Sequence, residues 1–104
     1  MNILAVGLSH KTAPLEVRER FAFREEQLKG FLNELKGLES VIECMLLLTC
    51  NRIESYVVAS EDNVELIRNF LLERYSPQPE ARQRVTDMIY AFKNEKAVDH
   101  ICRV

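Results

Sequence analysis

The sequence predicts an α+β fold of the ferredoxin-like kind, a βαββαβ sandwich with a four-stranded antiparallel sheet. Three observations carry that reading. Asn2–Ser9 alternates apolar and small residues; Val41–Leu48 and residues 53–59 are two apolar runs separated by a short polar break; and an amphipathic helical stripe precedes the first of these runs while another follows the second. Two βαβ halves with right-handed crossovers assemble most simply into one sheet with both helices on the same face.

Taken in order, residues 2–9 form the first strand, followed by a loop at His10-Lys11-Thr12 and a short extra helix entered through Pro14, with Thr12 or Ala13 as its cap. Leu28, Phe31, Leu32 and Leu35 fall at i, i+3, i+4 and i+7, which gives a helix over 24–36 with Gly37 as its stop. After the two central strands, Asp62 and Glu65 form a capping-box-like start, and Leu66, Ile67, Phe70 and Leu71 supply the buried face of a helix ending near Tyr75. Ser76-Pro77-Gln78-Pro79 reads as a loop, and the alternation over 87–92 as the final strand. Asn94 caps one more helix carrying Ala97, Val98, Ile101 and Cys102. That helix meets the end of the sequence at Val104 with no Gly, Asn or Pro terminator, so it reads as cut short and the chain as a piece of a longer protein.

At 104 residues, 47% hydrophobic and 29% charged, the chain fits one domain spanning 1–104 with a modest core. It has no run near the roughly 18 apolar residues needed to span a bilayer, and its start lacks a basic segment ahead of the apolar one, so a cytoplasmic location with no membrane contact is expected. A net charge of −2 argues against a dedicated nucleic-acid binder. Arg18, Arg20 and Arg24, and Arg82 with Arg84, are interleaved with acidic or amide residues and read as solvated mixed-charge surface.

The chemistry concentrates at Thr49-Cys50-Asn51-Arg52, where a hydroxyl, a thiol, an amide and a guanidinium follow one another at the end of an apolar run. A thiol at the mouth of a rigid sheet can meet a substrate, whereas Cys44, inside the run, reads as a small core hydrophobe. The three cysteines show no Cys-x-x-Cys spacing, and Cys44 and Cys50 stand about 20 Å apart if the strand is extended, so they are expected to be free. Arg52 or a histidine could raise the thiolate fraction of Cys50. His10 follows the first strand. His100 lies off the Val98 and Ile101 stripe, and on spacing alone it reads as a surface or domain-interface imidazole.

Gly7-Leu8-Ser9-His10-Lys11-Thr12-Ala13-Pro14, Arg18-Glu19, Leu48-Thr49-Cys50-Asn51-Arg52-Ile53-Glu54 and Ala97-Val98-Asp99-His100-Ile101-Cys102-Arg103-Val104, in this order, resemble the N-terminal catalytic domain of glutamyl-tRNA reductase. The resemblance spans the chain. It implies an enzyme of tetrapyrrole (porphyrin) biosynthesis, an oxidoreductase that reduces glutamyl-tRNA to glutamate-1-semialdehyde with NADPH. It further implies Cys50 as the nucleophile that forms a glutamyl thioester and His100 as a second catalytic residue of open task. Thr49, Asn51 and Arg52 are then substrate-binding residues: amides around Asn51, with the Thr49 hydroxyl nearby, as oxyanion donors, and Arg52 as the fork for the glutamyl carboxylate, where the residues alone read equally as a surface ion pair of Arg52 with Glu54. His10 either lines the pocket or steadies its loop, and Glu54 reads as structural.

The three glycines, at 7, 30 and 37, make no Gly-x-Gly-x-x-Gly turn, so NADPH is expected to bind a domain missing here, with no cofactor-binding residue in this chain and no metal. The resemblance also implies a homodimer for the full-length protein, with the downstream semialdehyde aminotransferase as a partner. These residues alone are then expected to form the thioester or slowly hydrolyse glutamyl-tRNA, and not to make semialdehyde. The competing reading is a ferredoxin-like RNA- or protein-binding module with an ordinary thiol. Zinc on Cys50, His10 and His100 lacks local ligand spacing.

Overall fold

The computed structural model describes residues 1–21 and 25–104, with the side chain of Glu25 also outside the description. The sequence readings that fall on Arg24, as a basic spot and as the first residue of a helix, lie outside the described residues. The elements run β1 (Asn2–Ser9), α1 (Leu15–Glu19), α2 (Glu25–Lys36), β2 (Val41–Leu48), β3 (Arg52–Ala59), α3 (Val64–Tyr75), α4 (Pro79–Thr86), β4 (Tyr90–Lys93) and α5 (Glu95–Arg103). The sheet order is β2-β3-β1-β4 with every pair antiparallel, the ferredoxin-like arrangement that the sequence predicts.

Strand alternation divides the sheet into two unlike faces. On one, Leu4, Val6 and Leu8 of β1 and Ile53, Val57 and Ala59 of β3 join Phe31 and Leu35 of α2, Ile67 and Leu71 of α3 and Val17 of α1 in a continuous apolar core. On the other, Ala5 and Tyr56 pack against Ala97 of α5, with Ile3, Leu47, Phe92 and Ile101 around them. Gly7 allows β1 and β3 to come together: a Cβ there would stand 2.2 Å from the Ile53 carbonyl oxygen and 2.7 Å from the Glu54 Cα.

Several local readings are corrected. Pro14, not Thr12 or Ala13, takes the cap position of α1, because the Thr12 hydroxyl is engaged by Ser9, whose N–H it accepts at 3.0 Å. The capping box at Asp62 and Glu65 does not form. Asn63 holds the cap position of α3 and donates instead to the Glu39 carbonyl, Asp62 accepts the Val64 N–H at 3.3 Å, and Glu65 pairs with Arg68. The helix α4 is absent from the sequence reading, although Pro79 at its first position is a start signal. Only Val85 of α4 is buried, so its apolar stripe is too thin to announce a helix. It shortens the last strand, since Met88 and Ile89 donate back to Val85 and Thr86 and the sheet begins at Tyr90. Asn94 starts α5 without capping it through its side chain. At φ 52° it pairs with β1 instead, its N–H donating to the Ile3 carbonyl at 2.7 Å and its Oδ1 accepting the Ile3 N–H at 3.0 Å.

Candidate active site

The β2–β3 connection is a tight hairpin built by Thr49. Its N–H donates to the Arg52 carbonyl at 2.8 Å, and its Oγ1 accepts the Asn51 and Arg52 N–H groups at 3.2 and 3.0 Å. Cys50 and Asn51 are thereby held out at the tip, and both are exposed. Two other segments pin that tip. The His10 N–H donates to the Asn51 carbonyl at 2.8 Å, which carries the β1–β3 pairing past the strand ends. Arg18 of α1 donates through Nε to the Ala13 carbonyl at 3.2 Å and through Nη1 to the Cys50 carbonyl. A cavity of about 540 Å³ opens beside the thiol, lined by Leu15, Arg18, Phe21, Leu48 and Thr49 together with Cys50.

This geometry revises one expectation about the site. The Asn51 amide donates to Thr49 Oγ1, whereas the Cys50 N–H has no partner among the described residues and the Thr49 hydroxyl keeps its own proton to donate, which makes these two the readier oxyanion donors. The cysteines also separate. Cys44 is half-buried with its thiol directed at the Leu32 carbonyl, and burial pushes its pKa up against the pull of Lys36. Cys102 is exposed like Cys50, so exposure alone does not single out a nucleophile. What distinguishes Cys50 is its place at a hairpin tip beside a cavity, with Arg18 on its own carbonyl and with His10 and Thr49 on the neighbouring Asn51.

On the opposite face, the alternation of β3 brings Arg52, Glu54 and Tyr56 to the α5 side. Glu54 is 1% exposed and its carboxylate collects four donors. Tyr56 donates to Oε1, and Tyr90 of β4, Arg52 Nη1 at 3.2 Å and His100 Nε2 at 2.6 Å converge on Oε2. Burial raises the Glu54 pKa, but the hydrogen bonds from Tyr56, Tyr90 and His100, with the charge His100 can carry, outweigh it, and the carboxyl titrates below its ordinary range. Burial first, and then the carboxylate itself, push both phenols well above theirs, so they remain protonated donors. The His100 ring stacks on Phe92 at 4.7 Å between centroids and meets the Tyr90 ring edge-on at 5.4 Å.

The sequence-predicted residues therefore fall into two groups. Thr49, Cys50 and Asn51 share the hairpin tip with the backbone of His10, while Arg52 and His100 meet on Glu54. Among the described residues no hydrogen bond or ion pair joins Cys50 to His100. His100 is a half-buried partner of a carboxylate, not a surface imidazole. Sequence reasoning gave Arg18, Tyr56 and Tyr90 no role in the site; of the partners of Glu54 it offered Arg52 alone, and that ion pair forms at 3.2 Å. A glutamate inside an apolar strand was the available signal, since a buried carboxylate requires donors around it.

Comparison with known proteins is consistent along the whole chain. Residues 6–104 match the family described as "Glutamyl-tRNAGlu reductase, N-terminal domain". The glutamyl-tRNA reductases of Paenibacillus macerans and Brevibacillus brevis are 42% and 40% identical over 106 residues, covering all of this chain. The chain spans about a quarter of the length of these curated relatives, 24% and 23% respectively. A solved structure titled glutamyl-tRNA reductase from Methanopyrus kandleri superposes on 98% of the chain and 21% of its own with a TM-score of 0.71, and at 22% identity it supports the fold. By its family match and by these relatives, the chain belongs to the glutamyl-tRNA reductase family, as its N-terminal domain.

Proposed function

We propose that this chain is the acyl-accepting part of an NADPH-dependent glutamyl-tRNA reductase acting in tetrapyrrole biosynthesis. The observation that supports it best is Cys50, an exposed thiol at the tip of a hairpin whose backbone is tied to two other segments. The Cys50 thiolate attacks the carbonyl carbon of the glutamyl ester and forms a C–S bond. The tetrahedral oxyanion meets the Cys50 N–H and the Thr49 hydroxyl. It then collapses with cleavage of the C–O bond to the tRNA ribose, whose oxygen takes up a proton, leaving a glutamyl thioester and free tRNA. Covalent capture of this kind splits one difficult step into two easier ones.

Arg52 gives one N–H to Glu54 and has further donors for the glutamyl carboxylate, and Asn51 borders the same tip. His100 acts at the acyl group from the α5 side. The residues here do not fit NADPH. Gly7 is packed between strands, and among the described residues no glycine-rich turn joins a strand to a helix, so the chemistry of this chain stops at the thioester. Homodimerisation, a semialdehyde aminotransferase partner, a cytoplasmic location and one domain over 1–104 complete the proposal.

The test is single-turnover acyl capture from glutamyl-tRNA by wild type and Cys50→Ser. Loss of the thioester in the variant with the fold retained supports the proposal, and an undiminished transfer refutes it. Semialdehyde made by these residues alone with NADPH would contradict the assignment of the reduction to another domain.

A further inference from the structure

We propose that Glu54 is the positioning residue of the site, fixing His100 as its Nε2–H tautomer so that Nδ1 is the ring nitrogen left to accept a proton, while the same oxygen anchors Arg52. The inference rests on the acyl-capture reading for its role in catalysis, though not for its geometry.

An ionised carboxylate only accepts hydrogen bonds, and the depressed titration of Glu54 keeps it ionised at neutral pH. His100 Nε2 stands 2.6 Å from Glu54 Oε2, so that nitrogen must carry the proton. A neutral imidazole has one N–H, and its second nitrogen then holds a lone pair. The ring cannot turn freely to exchange the two, because it stacks on Phe92 and meets Tyr90 edge-on.

Arg52 from β3, Tyr56 from β3, Tyr90 from β4 and His100 from α5 all donate to this one carboxylate, whose side chain is shut off from solvent. Three elements are thus tied at one point, and one of them leads into the hairpin that carries Cys50. A purely structural ion pair needs Arg52 alone. The presence of a histidine on the same oxygen, with both phenols held protonated around it, is the arrangement expected of a group that sets the orientation and basicity of an imidazole. Gly7 faces the same spot: a Cβ there would approach Glu54 Cγ to 3.0 Å, so a side chain at position 7 would crowd the carboxylate.

The experiment combines a spectroscopic and a kinetic arm on the chain labelled with 15N-histidine. At about pH 9, above the ordinary imidazole range, wild-type His100 is expected to show a proton on Nε2 and none on Nδ1, with exposed His10 as the internal reference. Glu54→Gln, of the same shape, is expected to give mixed His100 tautomers. With its amide fingerprint preserved, the variant is also expected to slow single-turnover acyl capture at least about tenfold, since a positioned proton acceptor contributes about 10²–10⁴-fold. A proton on Nδ1 in wild type overturns the proposal, as does a folded Glu54→Gln that captures the acyl group at the wild-type rate. If Glu54→Gln does not fold, the wild-type imidazole signals decide the matter. A wild-type chain that takes no acyl group counts against the acyl-capture reading, while those signals, which need no substrate, still decide for or against the hold of Glu54 on His100.

Discussion

The two faces of the sheet are built from the same strands and do different work. Against α2 and α3 the side chains are aliphatic and aromatic, and their contribution is burial. Against α5 the apolar patch is small, and beside it lies a fully buried carboxylate with four donors. Buried charge of this kind is poor evidence for stability, because desolvation offsets much of the attraction. It is better explained as a device that holds particular groups in particular orientations. The fold therefore rests on one face, and the chemistry we propose belongs to the other and to the hairpin end that joins them.

That division can be broken deliberately. Leu35→Ala removes a fully buried side chain from the helical face and should cost about 3–5 kcal/mol in urea unfolding. Under native conditions it should leave the alkylation rate of Cys50 unchanged, whereas a parallel loss of Cys50 reactivity would mean that the two regions are not separable. Gly7→Ala strikes at the seam. Its methyl group meets the Ile53 carbonyl and the Glu54 backbone, so a destabilisation of about 1–3 kcal/mol is expected together with a disturbed His100 signal.

Acidification should act on the α5 face. The Glu54 pKa is depressed on folding, so its contribution is present above the ordinary carboxylate value of 4.5 and is lost as pH falls through the folded value below it. Unfolding curves of wild type and Glu54→Gln should accordingly differ at pH 7 and converge as the pH is lowered below 4.5. A constant difference would show that the network does not titrate. The smallest effect is expected at Asp99→Asn, which cuts an exposed pair with Arg103 at 3.2 Å and should change stability by no more than about 0.5 kcal/mol.

The same contrast explains what could be read from the residues alone. Strands with clean alternation and the stripe Leu28, Phe31, Leu32, Leu35 announce the helical face, because burial leaves a period in the sequence. The helix α4, with Val85 as its one buried residue, leaves almost none and went unseen. Cys50 was legible from its place at a strand end. The convergence of Arg52, Tyr56, Tyr90 and His100 on Glu54 was not, since it joins residues up to 46 positions apart through strand register and the packing of α5. The hydrogen bond from the Asn51 amide to Thr49 is a matter of hairpin geometry that residue types do not reveal.

The central claim is that the acyl group is taken by the sulfur at the hairpin tip. Rapid quenching after mixing with radiolabelled glutamyl-tRNA, followed by peptide mass mapping, tests it directly. The account predicts one hydroxylamine-labile glutamyl group on the peptide carrying Cys50, absent from Cys50→Ser. Label on the Cys102 or Cys44 peptide, or release of glutamate with no labelled cysteine at any time point, would contradict it.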